Sequence, residues 1–286
     1  MIKKIKYFFQ TALIYLAFVF IKCLGLKISR IIFSFIFKKI GPIFKSKKIT
    51  KKNLQNFSNQ ISEKKTNMIM IEMWSNYGKT FVEYMFLKKF RNYNSHITIK
   101  GQKILEDIKN SNEPVIFISG HFANFELMSM ELTKKNIKLA TIYRPLNNFF
   151  LNPLMEYLRK KFICKEQIKK GRLGVKNALE YIKKKHSIAL MIDQRVSEGE
   201  KIKFFNVDAY TTTMPAQLAL KFKLKIVPIF IERKIDNSFE MKLFEPIEPT
   251  QFKDKYAISK KLNEVLEKML IKNPNQWIWT HNRWKL

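Results

Sequence analysis

A histidine and a glutamate stand close together in the stretch PVIFISGHFANFEL, residues 114–127, and could act as an acid–base pair. The chain has four histidines, and His121 directly follows an apolar run that ends in Gly120. Glycine permits a sharp turn, and open α/β sheets bind ligands beyond the carboxyl ends of their strands. The pattern predicts a strand, a tight turn that carries His121, and a helix that contains Glu126.

The spacing of the pair limits how the two side chains could meet. Residues five apart on a regular helix point about 140° away from each other. His121 must therefore stay in the turn if Glu126 is to accept a hydrogen bond from one ring nitrogen. Such a bond would fix the tautomer and leave the other nitrogen as a general base. A histidine with a purely structural role is the alternative interpretation of this pattern.

The surrounding sequence offers this base no partner nucleophile. No serine follows in a G-x-S-x-G arrangement, and Cys164 is not placed for that role. A base without an enzyme nucleophile suits the activation of a substrate hydroxyl. We therefore expect the hydroxyl to attack an acyl carbonyl directly, without an acyl-enzyme.

The composition of the chain indicates what kind of fold positions this pair. Its 286 residues, 46% of them hydrophobic, can form one large α/β domain with a small appendage. Cys23 and Cys164 are far apart, so a disulfide framework or a cysteine metal site is not expected, and a reducing compartment fits. The net charge is +31, and 46 of the 54 basic residues are lysines, which in part reflects compositional bias. The chain has eight arginines, and guanidinium groups suit bidentate recognition of phosphate or carboxylate.

The N-terminal region has the features of a membrane attachment. Residues 7–26 are apolar except for Lys22, and twenty helical residues span about 30 Å, one hydrocarbon core. A cleaved signal peptide is the alternative, but the run is long and no small-x-small site follows it. Residues 28–36 then repeat apolar side chains at helical spacing between basic residues, which predicts an interfacial amphipathic helix that ends at Gly41-Pro42. An ordinary core helix is the alternative for residues 28–36.

The charges of this region indicate its partner and its orientation. Thirteen Lys and Arg residues precede Glu63, the first acidic residue, which predicts attraction to anionic membrane lipid. Residues 27–52 hold nine basic residues against three in residues 1–6, so the following domain should face the cytoplasm. We divide the chain into a membrane anchor with a basic interfacial helix, residues 1–50, and a domain, residues 51–286.

The remainder of the chain alternates between apolar runs and helical patterns. Buried strands are predicted at 115–119, 139–143, 188–193 and 226–232, and an edge strand at 239–247. Helices are predicted within 53–93 and near 123–135, 150–162, 173–185, 214–222 and 255–271. This order predicts a single α/β domain with a mixed, mostly parallel sheet flanked by helices.

Four sequence blocks resemble one family. GHFANFEL resembles the His-x4-Asp/Glu block of the lysophospholipid acyltransferase-like superfamily. More closely, it resembles G-H-F-G-N-W-E-L of the lipid A biosynthesis late acyltransferases (lauroyl/myristoyl acyltransferases). YRPLNN with YLRKKF, LMIDQR with KFFNVDAYTTT, and PNQWIWTHNRWK resemble three further blocks of that family, in the same order along nearly the whole chain. The chain departs from the pattern at Ala123 and Asn206, where glycine is usual, and at Phe125, where tryptophan is usual.

The resemblance implies a function and a set of site residues. His121 would be the catalytic base and Glu126 its catalytic partner. The acyl donor would be an acyl carrier protein thioester and the acceptor a hydroxyl of a lipid A precursor, at the bacterial inner membrane, with no cofactor or metal. The residues expected to bind substrate are Arg144, Arg159, Asp193, Asn124 and Gln194.

Two other functions stay open at this point. One is a phospholipid or glycolipid acyltransferase of the same superfamily that uses acyl-CoA. The other is a non-catalytic membrane tether that binds nucleic acid through its lysines, although no nucleic-acid-binding motif supports that partner. Three tryptophans, Trp277, Trp279 and Trp284, are expected to pack in the core rather than form a membrane belt or an acyl groove.

Overall fold

The computed structural model describes residues 2–44 and 47–285. Its α-helices are α1 Ile2–Phe44, α2 Lys47–Phe57, α3 Glu63–Glu83, α4 Leu87–Asn92, α5 Gln102–Ser111, α6 Glu126–Lys134, α7 Asn152–Leu158, α8 Arg172–Lys183, α9 Met214–Phe222 and α10 Lys255–Lys272. Its strands are β1 Ile97–Lys100, β2 Ile116–Ser119, β3 Leu139–Tyr143, β4 Glu166–Lys169, β5 Ser187–Met191, β6 Glu200–Phe204, β7 Val207–Thr211, β8 Ile226–Arg233 and β9 Phe239–Leu243.

Seven strands form one mixed sheet in the order β1-β9-β8-β2-β5-β3-β4. All neighbours are parallel except β8 and β9, which confirms the predicted mixed, mostly parallel sheet. The prediction that residues 239–247 form an edge strand is wrong. β9 is internal because β1, a strand of only four residues that was not predicted, pairs with it.

Helices cover both faces of this sheet. Side chains of β2 alternate between the two faces, with Ile116 and Ile118 in one buried cluster and Phe117 in the other. Because both faces are covered, the central strands are apolar throughout rather than alternating. The strands β6 and β7 form a separate hairpin, whose turn residues Phe205 and Asn206 have φ of 52° and 58°. Two positive φ values define a type I′ turn, and Asn206 tolerates this conformation at the position where the resemblance expects glycine.

The long helix α1 consists of two arms joined at Gly25, whose φ of 75° interrupts the helix. The hydroxyl of Ser29 donates to the carbonyl of Ile21 across this kink at 3.1 Å, and Ser29 is fully buried. The buried bond partly replaces the helical bonds that the kink removes. The first arm is residues 2–24, and the second arm is residues 26–44.

The second arm packs against α3 on one side and is apolar on its other side as well. A Cβ on Gly78 of α3 would lie 2.2 Å from the carbonyl oxygen of Phe33, so the two backbones touch. Ile31 and Phe35, in contrast, are 67% and 62% exposed. Core packing is therefore confirmed for one side of residues 28–36, and interfacial contact of the other side stays a prediction. The predicted end at Gly41-Pro42 is wrong, because the helix continues to Phe44. The predicted domain division at residue 50 stays a prediction.

Candidate active site

Sheet register places His121 beside Asp193. Strands β2 and β5 are parallel neighbours in which Ser119 is paired with Met191, and the two site residues each follow two positions later. The His121 ring meets the Asp193 carboxylate at 2.8 Å between Nδ1 and Oδ1. The backbone N–H of His121 donates to Oδ2 of the same carboxylate, also at 2.8 Å. The bond from the backbone N–H holds the turn in place, and the bond at Nδ1 orients the ring.

The carboxylate of Asp193 is buried and ionised. It is 1% exposed, and the indole N–H of Trp277 donates to Oδ2 at 2.7 Å. Burial alone would raise the pKa of Asp193, but the His121 charge and the hydrogen bonds from His121 and Trp277 outweigh it and hold that pKa below its ordinary value. An ionised partner on Nδ1 favours the tautomer in which Nε2 is free to accept a proton.

Glu126 does not hold the His121 ring as the sequence predicts. It begins α6, and its Oε1 accepts from the Tyr84 hydroxyl at 2.7 Å and from Arg159 Nε and Nη2 at 2.8 and 2.6 Å. The expected hydrogen bond is therefore corrected, since Asp193 occupies the ring nitrogen that Glu126 was to bind. The assignment of Glu126 itself as a catalytic residue stays a prediction.

The pair of Arg159 and Glu126 forms a second charged centre, where α6 begins after the turn. Arg159 starts a π-helical turn, Arg159–Ile163, and its guanidinium lies 5.6 Å from the ring centre of Tyr143. Burial would lower the pKa of Arg159, but the Glu126 charge outweighs it and raises that pKa. Burial and Glu126 together raise the pKa of the Tyr84 hydroxyl, which therefore stays protonated as a donor. Arg159 is thus a fixed cation, held on one side by a carboxylate.

The turn itself carries backbone strain at Ala123. This residue has φ of 46°, in the region that favours glycine, and the resemblance expects glycine here. A non-glycine residue in this conformation costs about 1–2 kcal/mol. Hydrogen bonds to the backbone hold it in place: its N–H donates to the carbonyl of Gln276 at 2.9 Å, and its carbonyl accepts from Thr80 at 3.3 Å.

Asn124 follows the turn, and its side chain points into the protein. Its side chain is 1% exposed and donates to Oε2 of Glu83 at 2.9 Å. Glu83 is fully buried and also accepts from Arg30 at 2.8 Å and from Arg233. Burial would raise the pKa of Glu83, but Arg233 and Arg30 outweigh it and lower that pKa. The predicted contact of Asn124 with substrate stays a prediction.

The carboxyl edge of the sheet also carries exposed cations. Arg144 follows β3 and is exposed, while Gln194 follows Asp193 and is half-buried. Partial burial and the charge of Arg144 lower the pKa of Lys170, which follows β4. Sequence reasoning did not find Lys170, because the strand that positions it, Glu166–Lys169, is short and polar and was not predicted. The roles of Arg144, Arg159, Asp193 and Gln194 toward substrate stay predictions.

The C-terminal segment closes the site from one side. Trp277, Trp279 and Trp284 are 1%, 0% and 5% exposed, which confirms that they pack in the core. The bond from Trp277 to Asp193 was not predicted, because their separation along the chain, 84 residues, leaves no local signal. The ring of His281 accepts from the backbone N–H of Arg195 at 2.9 Å. Burial lowers the pKa of His281 to about 4, so this ring is neutral at physiological pH.

The described residues offer few other candidates for chemistry. Cys164 is 3% exposed, its thiol donates to the carbonyl of Leu139 at 3.2 Å, and burial raises its pKa. A thiol in this state is a poor nucleophile. Within residues 2–44 and 47–285, no group of three or more His, Cys, Asp and Glu side chains is arranged to hold a metal ion.

Comparison with known proteins places these observations in a family. The family model described as bacterial lipid A biosynthesis acyltransferase matches residues 2–286. The chain therefore belongs to the bacterial lipid A biosynthesis acyltransferase family, as the sequence blocks predict.

Named relatives are similar at low identity. The chain is 24% identical over 195 residues to a lipid A biosynthesis acyltransferase of Haemophilus influenzae, covering 65% of this chain and 60% of that protein. It is 23% identical over 190 residues to the lipid A biosynthesis myristoyltransferase of Escherichia coli, covering 63% and 56%. It is 21% identical over 245 residues to the lipid A biosynthesis lauroyltransferase of Escherichia coli, covering 83% and 78%. The matched region thus spans little more than half the length of the first two relatives.

Among solved structures, a 1-acyl-sn-glycerophosphate acyltransferase from Thermotoga maritima aligns over 89% of this chain and 100% of that chain. The alignment has a TM-score of 0.42 and 14% identity, values too low to support a statement about function.

Proposed function

We propose that this chain is a membrane-bound O-acyltransferase of lipopolysaccharide biosynthesis. It transfers a fatty acyl chain from an acyl carrier protein thioester to a hydroxyl of a lipid A precursor. The observation that carries the proposal is the His121 ring, held through Nδ1 by the buried carboxylate of Asp193. Family membership supports the lipid A acceptor.

His121 acts as the general base in this proposal. Its side chain is 20% exposed, so Nε2 can be reached by a substrate hydroxyl while Nδ1 stays bonded to Asp193. Nε2 takes the hydroxyl proton as the oxygen attacks the thioester carbonyl, and the buried carboxylate stabilises the imidazolium that forms. The tetrahedral intermediate then collapses with loss of the thiolate, which receives the proton from His121. This sequence needs no acyl-enzyme.

Arg159 is the donor that we assign to the developing oxyanion. Two of its guanidinium nitrogens, Nε and Nη2, bind Glu126, which leaves Nη1 for an external acceptor. A cation fixed before the reaction stabilises developing charge without reorganisation. Glu126 then has a catalytic role through Arg159 rather than through the histidine.

The cations at the sheet edge suit the charged groups of both substrates. Arg144 and Lys170 lie close enough that the Arg144 charge lowers the pKa of Lys170. Two neighbouring cations are stabilised by a bound phosphate, and a guanidinium can bind it with two hydrogen bonds. We propose that Arg144 binds a phosphate of the acceptor. Gln194, which follows Asp193, contacts substrate. The net charge of +31 also favours an acidic carrier protein and anionic lipid.

The proposed location is the bacterial inner membrane, with the catalytic domain in the cytoplasm. The apolar arm of α1 and the Lys and Arg bias of residues 27–52 support it. One helix of the described chain, Ile2–Ile43, is long and apolar enough to cross a membrane by length and composition.

The proposal is tested by an acyl-transfer assay in detergent micelles. Acyl carrier protein thioesters of several chain lengths are offered with a tetra-acylated lipid A precursor, and wild type is compared with His121→Ala. We expect transfer by the wild type and a loss of about 10²–10⁴-fold in the variant, the typical contribution of a general base. His186→Ala is the matched control, because His186 precedes β5, at the end of that strand opposite to Asp193, and its ring contacts Tyr181.

Three results would contradict the proposal. Transfer only to a lysophospholipid or glycolipid from acyl-CoA would assign the chain to the other acyltransferase class. Equal rates for wild type and His121→Ala would reject His121 as the base. Salt-sensitive duplex binding with no acyl transfer would favour the nucleic-acid tether.

A further inference from the structure

The first arm of α1, residues 2–24, packs along the catalytic domain over most of its length. Thr11, Phe18 and Ile21 are 8%, 6% and 0% exposed, and Ile14 between them is half-buried. Their spacing of three and four residues is one stripe of a helix. The stripe covers about 15 Å of helix axis, so contact with the domain is not confined to one end of the arm.

Contacts at both ends of the arm reach the same domain. Near its start, Asn148 donates to the Tyr7 carbonyl at 3.0 Å and binds the Thr11 hydroxyl at 3.2 Å. Near its end, Phe18 stacks on Phe81 of α3 with ring centres 5.1 Å apart. A helix that crossed the hydrocarbon core would carry one end about 30 Å away from a domain on the other side. The observed contacts at both ends are incompatible with that separation.

The remaining sides of the arm are apolar and open. Phe8, Phe9, Leu13, Leu16, Val19 and Phe20 are between 52% and 68% exposed. The loop Asn148–Phe150 extends this surface: Phe149 packs on Tyr7 and Phe150 on Phe8, with ring centres 6.0 and 5.9 Å apart. Phe149 and Phe150 are themselves 49% and 39% exposed. A contiguous apolar surface of this kind needs an apolar partner.

Polar groups where the arm meets the Asn148–Phe150 loop bind one another. The Thr11 hydroxyl donates to the Tyr7 carbonyl at 2.8 Å, and Asn148 binds both residues. The free-energy cost of replacing water by lipid is small for polar groups that already hydrogen-bond to one another. Lys3, Lys4 and Lys6 at the start of the arm are exposed, where they can reach anionic headgroups.

We propose that the first arm lies in the plane of one leaflet instead of crossing the bilayer, and that Phe149 and Phe150 insert beside it as a second contact. The partner is a leaflet that contains anionic phospholipid. The loop follows Arg144 closely in the chain, so this arrangement brings the leaflet to the edge of the sheet that carries the site. The inference rests on the membrane attachment proposed above and not on the reaction, so its tests do not require acyl transfer.

Thiol labelling from each side of the membrane tests the in-plane arrangement. In a Cys23→Ser background, Lys3→Cys places an exposed thiol near the start of the first arm, and Lys27→Cys places one just beyond its end, in the second arm. A membrane-impermeant maleimide is applied to spheroplasts and to sealed inverted vesicles, and the buried Cys164 is the internal control that reacts after denaturation. We expect both thiols to react from the same side. Labelling from opposite sides would show a spanning helix, and protein that washes off the vesicles would reject the leaflet as partner.

A tryptophan series tests the second contact. Phe9→Trp, Phe150→Trp and Ile235→Trp are each bound to vesicles of anionic phospholipid with brominated acyl chains, and the emission of wild type is subtracted. Ile235 is fully exposed in the β8–β9 loop and is the matched control. We expect quenching at positions 9 and 150 and none at 235. Quenching at 9 without quenching at 150 would remove the loop from the membrane contact, and quenching at neither would overturn the whole proposal.

Discussion

Replacing Asp193 with asparagine tests which carboxylate serves the histidine. The substitution keeps the shape of the side chain and removes the charge that accepts hydrogen bonds from the ring and backbone of His121 at 2.8 Å each. An amide can present its NH2 group to Nδ1. This would favour the tautomer that carries its proton on Nε2, and Nε2 could then not accept the substrate proton. A hydrogen bond to a charged group contributes about 1.5–3 kcal/mol, and it matters most when the imidazolium forms.

The expected loss follows from these contributions. Losing the charge-assisted bond together with the correct tautomer removes most of the general-base contribution, about 10²–10⁴-fold in kcat. That corresponds to about 3–5 kcal/mol of barrier height. KM should change little, because Asp193 is 1% exposed and acts behind the ring.

Glu126→Gln is the matched control for this prediction. It removes a carboxylate from the same site, but that carboxylate binds Arg159 and Tyr84. We expect Glu126→Gln to lower kcat through Arg159, and by less than Asp193→Asn does, because the bond between the His121 ring and Asp193 remains. Single-turnover rates of both variants decide the question. If Glu126→Gln lowers the rate more than Asp193→Asn does, Glu126 is the partner of the histidine during the reaction and our reasoning is wrong.

Three further predictions concern stability and are checked by chemical denaturation. Glu83→Gln leaves the buried Arg30 and Arg233 without their carboxylate, and should destabilise the fold by about 3–5 kcal/mol; a loss below 1 kcal/mol would contradict this. The folded-state pKa of His281, lowered from 6.5 to about 4, means that the unfolded chain binds more protons and that stability falls as pH falls through this interval. His281→Gln should flatten that dependence, by at most about 2 kcal/mol after allowance for partial exposure, and an unchanged slope would contradict it. Gly78→Ala places a Cβ 2.2 Å from a carbonyl oxygen of α1 and should cost about 1–3 kcal/mol, whereas wild-type stability would show that the two helices can separate freely.

The sequence predicts the central strands well because they are buried on both faces. In a chain of this charge, continuous apolar runs such as residues 115–119 and 226–232 indicate strands that are buried on both faces. Strands β1 and β4 were not predicted because each is only four residues long and lies at a sheet edge, with two polar residues in β1 and three in β4. Their burial alternates or is partial, and such short segments do not differ from loops in composition.

The candidate site shows a different limit. The predicted turn after β2 makes His121 a candidate, and the LMIDQR block that resembles the family makes Asp193 one. That these two residues are partners depends on the adjacency and register of β2 and β5, which no local pattern encodes. The sequence predicts Glu126 as the partner of the His121 ring because it is closer to His121 along the chain than Asp193 is. The direction of a side chain at the first position of a helix is, however, set by that helix. The structure directs it toward Arg159.

Arg30 shows why charge counts alone misplace individual residues. It is one of thirteen cations before Glu63, all of which the sequence assigns to the membrane surface. The structure instead places its guanidinium on the buried Glu83, at 2.8 Å, and Glu83 also binds Asn124 in the turn after His121. One carboxylate thus joins α1 to the turn that follows His121. Because a buried carboxylate with two guanidinium partners is costly to break, the packing of α1 and the geometry of this turn should be lost together, and not one before the other, when this network is disrupted.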